Sequence, residues 1–199
     1  MTIEELIELG KKYYPYDESN NRHNTNLVLF HKRVLDSTSQ ETKEKCKNLG
    51  ITDCEFYSYL MLVGFGAKYI QMPLLEEILP DEFIKEIIAN LDSFLLKVKN
   101  TESEILYRQD NYSNIDSFSE GGIISFENYL VTSIDDFDNS YNIIWVITPI
   151  MKKSKGHEGY RIYERGNKEK QVTFERKSTF IINKIEKKND KNYIHCIEV

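Results

Sequence analysis

The spacing of apolar residues changes near residue 100, and this change limits the fold class more than any other feature of the chain. In residues 1–100 apolar side chains recur at steps of three and four, most clearly between Phe83 and Val98, which predicts amphipathic helices. In residues 101–199 they alternate with polar residues or form short continuous runs, which predicts strands. No linker rich in proline, glycine or serine separates the two halves, so we expect a single α+β domain over residues 1–199.

Capping residues predict where several helices begin. Thr2 and Glu5 have the spacing of a capping box, and the helix that they open is expected to run to about Tyr13. The apolar segment that starts at Leu27 fits a helix or a strand, and we favour a helix. Further helices are predicted after caps at Ser39, Asp53 and Asp81.

The strands of the second half are predicted from the apolar pattern and from the turns that separate its segments. Residues 143–147 form an unbroken apolar run, which is typical of a buried central strand. From Gln171 onward polar and apolar residues alternate, which is typical of a strand with two different faces. The predicted strands are 104–108, 123–126, 129–133, 142–150, 171–176, 179–186 and 193–199.

Composition and motifs argue against several classes of protein. A net charge of −6 argues against a general nucleic-acid coat protein, and no stretch has the apolar length of a membrane span. The acidic start of the chain lacks the basic and apolar regions of a signal peptide, so we expect a cytoplasmic protein with no membrane contact. No glycine-rich Rossmann or P-loop motif is present. Because Cys46, Cys54 and Cys196 are widely spaced and the histidines do not cluster, we expect buried thiols and no metal site.

A basic stretch lies between the predicted central strand and the strand that begins at Gln171. From Lys152 to Lys170 there are seven lysines and arginines and only three glutamates. Such a stretch is either an ordinary solvated surface or a site that receives a polyanion. The polar loop 160–168 at its end leads into the next strand, and loops at the mouth of a strand commonly carry catalytic groups.

Three short motifs follow one another in the strand-forming half of the chain. They are Leu-Tyr-Arg at residues 106–108, a segment at 124–133 that ends in Val-Thr-Ser, and Glu-Lys-Gln-Val-Thr-Phe at 169–174. Their order and spacing resemble the mono-ADP-ribosyltransferase toxin family with arginine, STS and E-x-E motifs. The resemblance is greatest to the small enzymes of T-even phages and to related toxins of bacterial anti-phage systems. It covers about residues 104–199.

The resemblance implies a fold and a substrate. The fold is a helical N-terminal layer packed on two small sheets, with a cleft for NAD between the sheets. NAD is consumed as a substrate, and no metal takes part. Tyr107 and Arg108 correspond to the family residues that hold NAD, and the planar, permanently charged guanidinium suits a pyrophosphate. Thr132 and Ser133 would shape the nicotinamide pocket and brace the catalytic strand, while Phe137 either stacks on nicotinamide or belongs to the core.

The same resemblance identifies a catalytic position, and here the chain departs from the family pattern. In the family, a carboxylate at the second acidic position of E-x-E stabilises the oxocarbenium-like centre that forms when the nicotinamide–ribose bond breaks. Gln171 occupies that position without a charge, and Glu169 corresponds to the first member, which orients and activates the acceptor. Gln171 is an engineered replacement, a natural loss of activity, or a sign that Glu169 or Glu175 on the same strand face is catalytic. We favour the first explanation because the surrounding site is intact, although Val131 replaces the first serine of STS.

The resemblance also implies a macromolecular acceptor. The loop before Glu169 meets the target in the family, so Lys153, Tyr163 and Arg165 are candidate target-binding residues. Basic side chains interleaved with an aromatic ring suit single-stranded nucleic acid, and RNA and protein are both candidate acceptors. A toxin of this kind, in a toxin–antitoxin, anti-phage or phage context, would need a neutralising partner such as an antitoxin protein. The alternatives are a catalytically dead NAD-fold protein that binds or regulates a partner, and a structural α+β protein with no NAD site.

Overall fold

The computed structural model forms two compact units, Met1–Lys97 and Val98–Val199. The first unit is helical and the second consists mainly of strands, so the predicted α+β class is confirmed. Within the described residues, no helix has both the length and the apolar character needed to cross a bilayer. The structure describes residues 1–15, 26–111, 115–136, 141–163 and 169–199.

The helices of the first unit begin mostly where the caps predict. Thr2 forms a complete capping box, because its N–H donates to Glu5 Oε2 at 2.7 Å and its Oγ1 accepts from the Glu5 N–H at 3.3 Å. The side chains of Ser39 and Asp81 cap two further helices, and the segment that starts at Leu27 is helical, as predicted. The described helices are α1 (Ile3–Tyr13), α2 (Leu27–Asp36), α3 (Gln40–Asn48), α4 (Asp53–Val63), α5 (Ala67–Leu75) and α6 (Glu82–Lys97).

Two details of this unit differ from the prediction. Thr52, and not Asp53, caps α4, because Thr52 has an extended backbone and its Oγ1 accepts from the Glu55 N–H at 3.2 Å. Asp53 is instead the first helical residue, where its negative charge complements the helix dipole. The sequence pattern does not predict α5, because Gly66 precedes it and Pro73 lies inside it, and both residue types are typical of helix breaks.

Helices α4 and α6 form the centre of the first unit. Almost all of α4 is buried, and the ring of Tyr59 stacks on that of Phe94 with 4.5 Å between the centroids. At the end of α6, Lys97 Nζ donates to both carboxylate oxygens of the buried Glu55 at 2.7 Å. Burial acts to raise the pKa of Glu55, but the hydrogen bonds from Lys97 and from other donors outweigh it and lower the pKa.

The described part of the second unit contains one eight-stranded mixed sheet. Its strands are β1 (Leu106–Asp110), β2 (Ile123–Phe126), β3 (Leu130–Ser133), β4 (Ile143–Thr148), β5 (Gly156–His157), β6 (Gln171–Phe174), β7 (Ser178–Lys188) and β8 (Lys191–Glu198). Their order across the sheet is β2-β7-β8-β4-β1-β3-β6-β5. All but β5 overlap predicted segments. Strand β5 lies in the basic stretch, for which no strand is predicted, and its two residues are too few to produce a periodic pattern.

The sheet divides into two parts where β1 meets β3. Strand β1 pairs with β4 along its whole length, from Leu106 to Asp110, whereas β1 and β3 share the single pair Tyr107 and Ser133. On one side of this pair are β2, β7, β8, β4 and β1, and on the other are β3, β6 and β5. The two small sheets that the resemblance implies are therefore parts of one hydrogen-bonded sheet, joined at one residue pair.

The core of the second unit joins the two parts of its sheet. Trp145 of β4 is fully buried, and the rings of Phe118 and Phe126 contact it edge-on. Phe174 of β6 packs edge-on against Phe180 of β7, with 5.2 Å between the ring centroids. Because β6 and β7 belong to different parts of the sheet, this contact holds the parts together away from the β1–β3 pair.

The three cysteines are buried and unpaired, as the composition predicts. Burial raises the pKa of Cys46 to about 11 and that of Cys196 to about 12. Both thiols therefore remain protonated at neutral pH, and they pack as small apolar groups instead of acting as nucleophiles.

Candidate active site

A pocket opens where β1 and β3 diverge. Its volume is about 360 Å³, which is within the range of sites that bind small molecules. Residues 107–110 of β1 form one wall, and residues 131–133 of β3 form the other. Asp135, Tyr141 and Glu169 also line the pocket. The described lining therefore combines one arginine with three carboxylates, which come from β1, from the segment after β3 and from the segment before β6.

Arg108 is held in the pocket wall by three hydrogen bonds. Its Nε and Nη2 donate to the two carboxylate oxygens of Asp110 at 2.6 and 3.0 Å, and its Nη1 donates to the carbonyl of Val131 at 3.0 Å. Arg108 and Asp110 are two residues apart on β1 and therefore project from the same face of the strand. The Val131 carbonyl is available to a side chain because β1 and β3 pair only at Tyr107 and Ser133. Arg108 consequently links the two parts of the sheet.

The register of β3 and β6 sets the second motif against the third. Ser133 is the direct partner of Gln171, and Thr132 is the partner of Val172. The buried Thr132 hydroxyl donates to the Val172 carbonyl at 2.8 Å and so braces β6. Ser133 lies between Tyr107 on one side and Gln171 on the other. Because adjacent strands are about 5 Å apart, the backbones at Tyr107 and Gln171 are roughly 10 Å apart.

Gln171 is buried, and its side chain is bound to Glu169. The Gln171 Nε2 donates to Glu169 Oε2 at 3.0 Å. This contact requires a donor at position 171, since a carboxylate there would place two acids against each other. Glu175, an alternative catalytic residue, follows the end of β6, and its Oε1 lies 2.8 Å from Nε2 of His157. Of these two described glutamates, Glu169 lines the pocket and Glu175 does not.

The two candidate target-binding residues that the structure describes, Lys153 and Tyr163, are not part of the pocket lining. Lys153 is exposed on the loop after β4, and Tyr163 is half-buried. The buried carboxylate of Glu198 holds this loop from the inside, because it accepts from the N–H groups of Ile150 and Lys155 at 2.9 and 2.7 Å. The loop therefore directs its lysine side chains toward solvent.

Most of the candidate NAD-binding residues meet at the pocket. The predicted residues in its lining are Tyr107, Arg108, Thr132, Ser133 and Glu169. Gln171 is outside the lining, but it pairs with Ser133 and binds Glu169. Phe137, a candidate for nicotinamide stacking or for the core, and Arg165, a candidate for target binding, lie outside the described residues.

Three charged or aromatic residues of the lining are missing from the sequence-based prediction: Asp110, Asp135 and Tyr141. Asp110 is missed because the predicted strand ends at Arg108, whereas β1 continues to Asp110. Its position two residues after the arginine, on one strand face, is the signal that could have identified it. Asp135 and Tyr141 lie in connecting segments, where no periodic pattern indicates which way a side chain points.

No protein-family model and no curated protein sequence matches the chain, whereas solved structures do. The Clostridium limosum C3 exoenzyme aligns with a TM-score of 0.65 and 18% identity, over 83% of this chain and 94% of its own. C3stau2 from S. aureus, solved with NAD, aligns with a TM-score of 0.64 and 14% identity, over 79% and 92%. Plx2a, an ADP-ribosyltransferase toxin from Paenibacillus larvae, aligns with a TM-score of 0.59 and 16% identity, over 99% and 96%. The chain therefore has the ADP-ribosyltransferase toxin fold.

Proposed function

We propose that this chain is an NAD-dependent mono-ADP-ribosyltransferase toxin that transfers ADP-ribose to RNA or to a protein. One observation carries the proposal: the sheet sets Ser133 opposite Gln171 and opens the pocket of Arg108 beside the same serine. Three separate segments thus bring together an arginine that can bind phosphate, side chains with hydroxyl groups, and the catalytic position. They do so in a fold shared with C3stau2, which was solved with NAD, and with Plx2a, which is named an ADP-ribosyltransferase toxin.

The pocket fits the pyrophosphate of NAD through Arg108. A guanidinium has five N–H donors, and three of those of Arg108 are used within the protein. Within the described residues, one N–H on each of Nη1 and Nη2 has no hydrogen-bond partner, and donors on both terminal nitrogens suit a phosphate group. Tyr107, Thr132 and Ser133 line the same pocket and are proposed to contact the nicotinamide riboside part.

The reaction requires a negative charge at position 171. The bond between ribose C1′ and the nicotinamide nitrogen breaks, the acceptor nucleophile forms a bond to C1′, and the nucleophile loses its proton. A carboxylate beside the ribose stabilises the positive charge that develops there, whereas the amide of Gln171 offers only a hydrogen bond. Gln171 therefore slows the reaction without removing the NAD site. Glu169, in the pocket wall, is proposed to orient and deprotonate the acceptor.

The acceptor is proposed from the charges next to β6. The Glu175 N–H donates to the Lys155 carbonyl at 3.0 Å, and this bond connects the basic stretch to the end of β6. The same stretch exposes Lys153. Lysines for phosphates and the ring of Tyr163 for a base favour RNA, and the same charges fit an acidic protein surface.

Labelled NAD and the Gln171→Glu protein test the proposed activity. We expect this variant to label a macromolecule in a cell lysate and the Gln171→Glu/Arg108→Ala protein to label none. Label removed by RNase identifies RNA as the acceptor, and label removed by protease identifies a protein. If the Gln171→Glu protein binds NAD and labels nothing, the alternative of a catalytically inactive NAD-fold protein with a binding or regulatory role is correct.

Thermal unfolding with and without NAD distinguishes the active transferase and the inactive NAD-fold protein, which both bind NAD, from a structural protein with no NAD site. A ligand that binds only the folded state stabilises it by mass action. Millimolar NAD is therefore expected to raise the unfolding midpoint of the parent chain, and Arg108→Ala is expected to abolish most of this increase. An unchanged midpoint for the parent chain would exclude NAD binding.

A further inference from the structure

Asp110 makes the closest contact to Arg108, and the proposed reaction gives it no direct role. Its two carboxylate oxygens bind Nε and Nη2 of the guanidinium at 2.6 and 3.0 Å. The two side chains are 27% and 21% exposed, so the pair is largely shielded from water in the pocket wall. A bidentate contact of this kind fixes both the position and the plane of the guanidinium.

The bond from Arg108 Nη1 to the Val131 carbonyl fixes the guanidinium from the opposite strand. Asp110 occupies the edge formed by Nε and Nη2, and the donors without a partner in the described part of the chain belong to Nη1 and Nη2. An unrestrained arginine has many rotamers and loses that freedom when it binds a ligand. In this pocket the freedom is already lost before any ligand arrives.

We propose that Asp110 is a positioning residue for NAD, which holds Arg108 so that its remaining N–H groups meet the pyrophosphate. This inference rests on the proposed function. A carboxylate near a pyrophosphate also repels it, which acts in the opposite direction. Because Asp110 binds a different edge of the guanidinium from the one that offers the remaining donors, the cation separates the carboxylate from the ligand, and positioning outweighs repulsion.

The affinity of the full chain for NAD tests the proposal, and Gln171 helps because it keeps turnover low during the measurement. Asp110→Asn is expected to raise the Kd for NAD at least about tenfold, since a hydrogen bond between charged groups contributes enough free energy for that factor. Asp110→Glu keeps the carboxylate and is expected to retain more of the affinity than Asp110→Asn. The matched control is Asp136→Asn. The Asp136 carboxylate accepts a hydrogen bond from Gln109 Nε2 at 3.3 Å near the pocket, but Asp136 is not among the described lining residues. It removes the same charge and is expected to leave the Kd nearly unchanged.

A double-mutant cycle shows whether Asp110 acts through Arg108. In the Arg108→Ala protein, Asp110→Asn is expected to cause no further loss of affinity. In the Gln171→Glu protein, Asp110→Asn is expected to raise KM for NAD and to leave kcat nearly unchanged. The unfolding midpoint of each variant is measured first, and Asp110→Ser replaces Asp110→Asn if the latter does not fold.

The outcomes separate this inference from the proposed function. Unchanged or tighter NAD binding in Asp110→Asn, with normal binding by the parent chain, would overturn the positioning role alone. So would a loss of affinity that persists in the Arg108→Ala background. If the parent chain binds neither NAD nor ADP, both the positioning role and the proposed function are wrong.

Discussion

The Gln171→Glu substitution tests the proposed chemistry most directly. It introduces a negative charge and keeps the size of the side chain at position 171. The strand partner of this position, Ser133, lines the pocket. For a carboxylate about 4 Å from the positive charge on the ribose and an effective dielectric constant of about 20, Coulomb's law gives an attraction of roughly 4 kcal/mol in the transition state. That free energy corresponds to a rate increase of about a thousandfold. We therefore expect nicotinamide release from NAD to rise by about this factor.

The pH dependence of the variant provides a second measurement. The substitution replaces the 3.0 Å hydrogen bond between Gln171 and Glu169 with a contact between two acids. Two carboxyl groups this close do not both ionise readily, so the pair retains a proton to a higher pH than a single acid would. The acid limb of the pH–rate profile should therefore lie at higher pH for Gln171→Glu than for Gln171→Glu/Glu169→Gln.

A control substitution and a threshold make the test decisive. Gln171→Met removes the amide without adding a charge and is expected to release nicotinamide no faster than the parent chain. A gain of less than about threefold in Gln171→Glu, which is under 1 kcal/mol of transition-state stabilisation, would refute the placement of position 171 beside the ribose. A midpoint of thermal unfolding close to that of the parent excludes misfolding as the cause.

Three further predictions concern stability, and urea denaturation measures each. Lys97→Met should lower the free energy of unfolding by about 3 kcal/mol, because the buried Glu55 carboxylate loses its charged partner. Since the pKa of Glu55 is lowered by folding, this contribution is present above the unfolded pKa and is lost as pH falls through the folded pKa, so the variant and the parent should converge in acid. Phe174→Ala should cost about 4 kcal/mol, because it empties a fully buried site. Thr132→Val should cost about 1 kcal/mol, because the Val172 carbonyl loses a hydrogen bond. A variant with the same free energy of unfolding as the parent would contradict the stability contribution predicted for the corresponding contact.

Most of the secondary structure follows from local sequence. The capping box of Thr2 and Glu5 closes within one helical turn, so it requires no other part of the fold. The apolar run of β4 and the alternation in β6 likewise predict strands at the correct places. The local signals fail where two residues compete, as Thr52 and Asp53 do for one helix start, or where a strand is as short as β5.

The contiguous motifs also predict most of the residue types in the candidate site, although Asp110, Asp135 and Tyr141 lie outside them. How these motifs meet depends on the tertiary structure. The pairing of Ser133 with Gln171 joins strands that are distant in sequence, and a shift of one residue would turn the side chains of β6 to the other face. The pocket exists because β1 and β3 separate after one pair, and this separation leaves the Val131 carbonyl to Arg108. Register and strand divergence depend on the packing of the whole sheet, so no local pattern of apolar and polar residues predicts them.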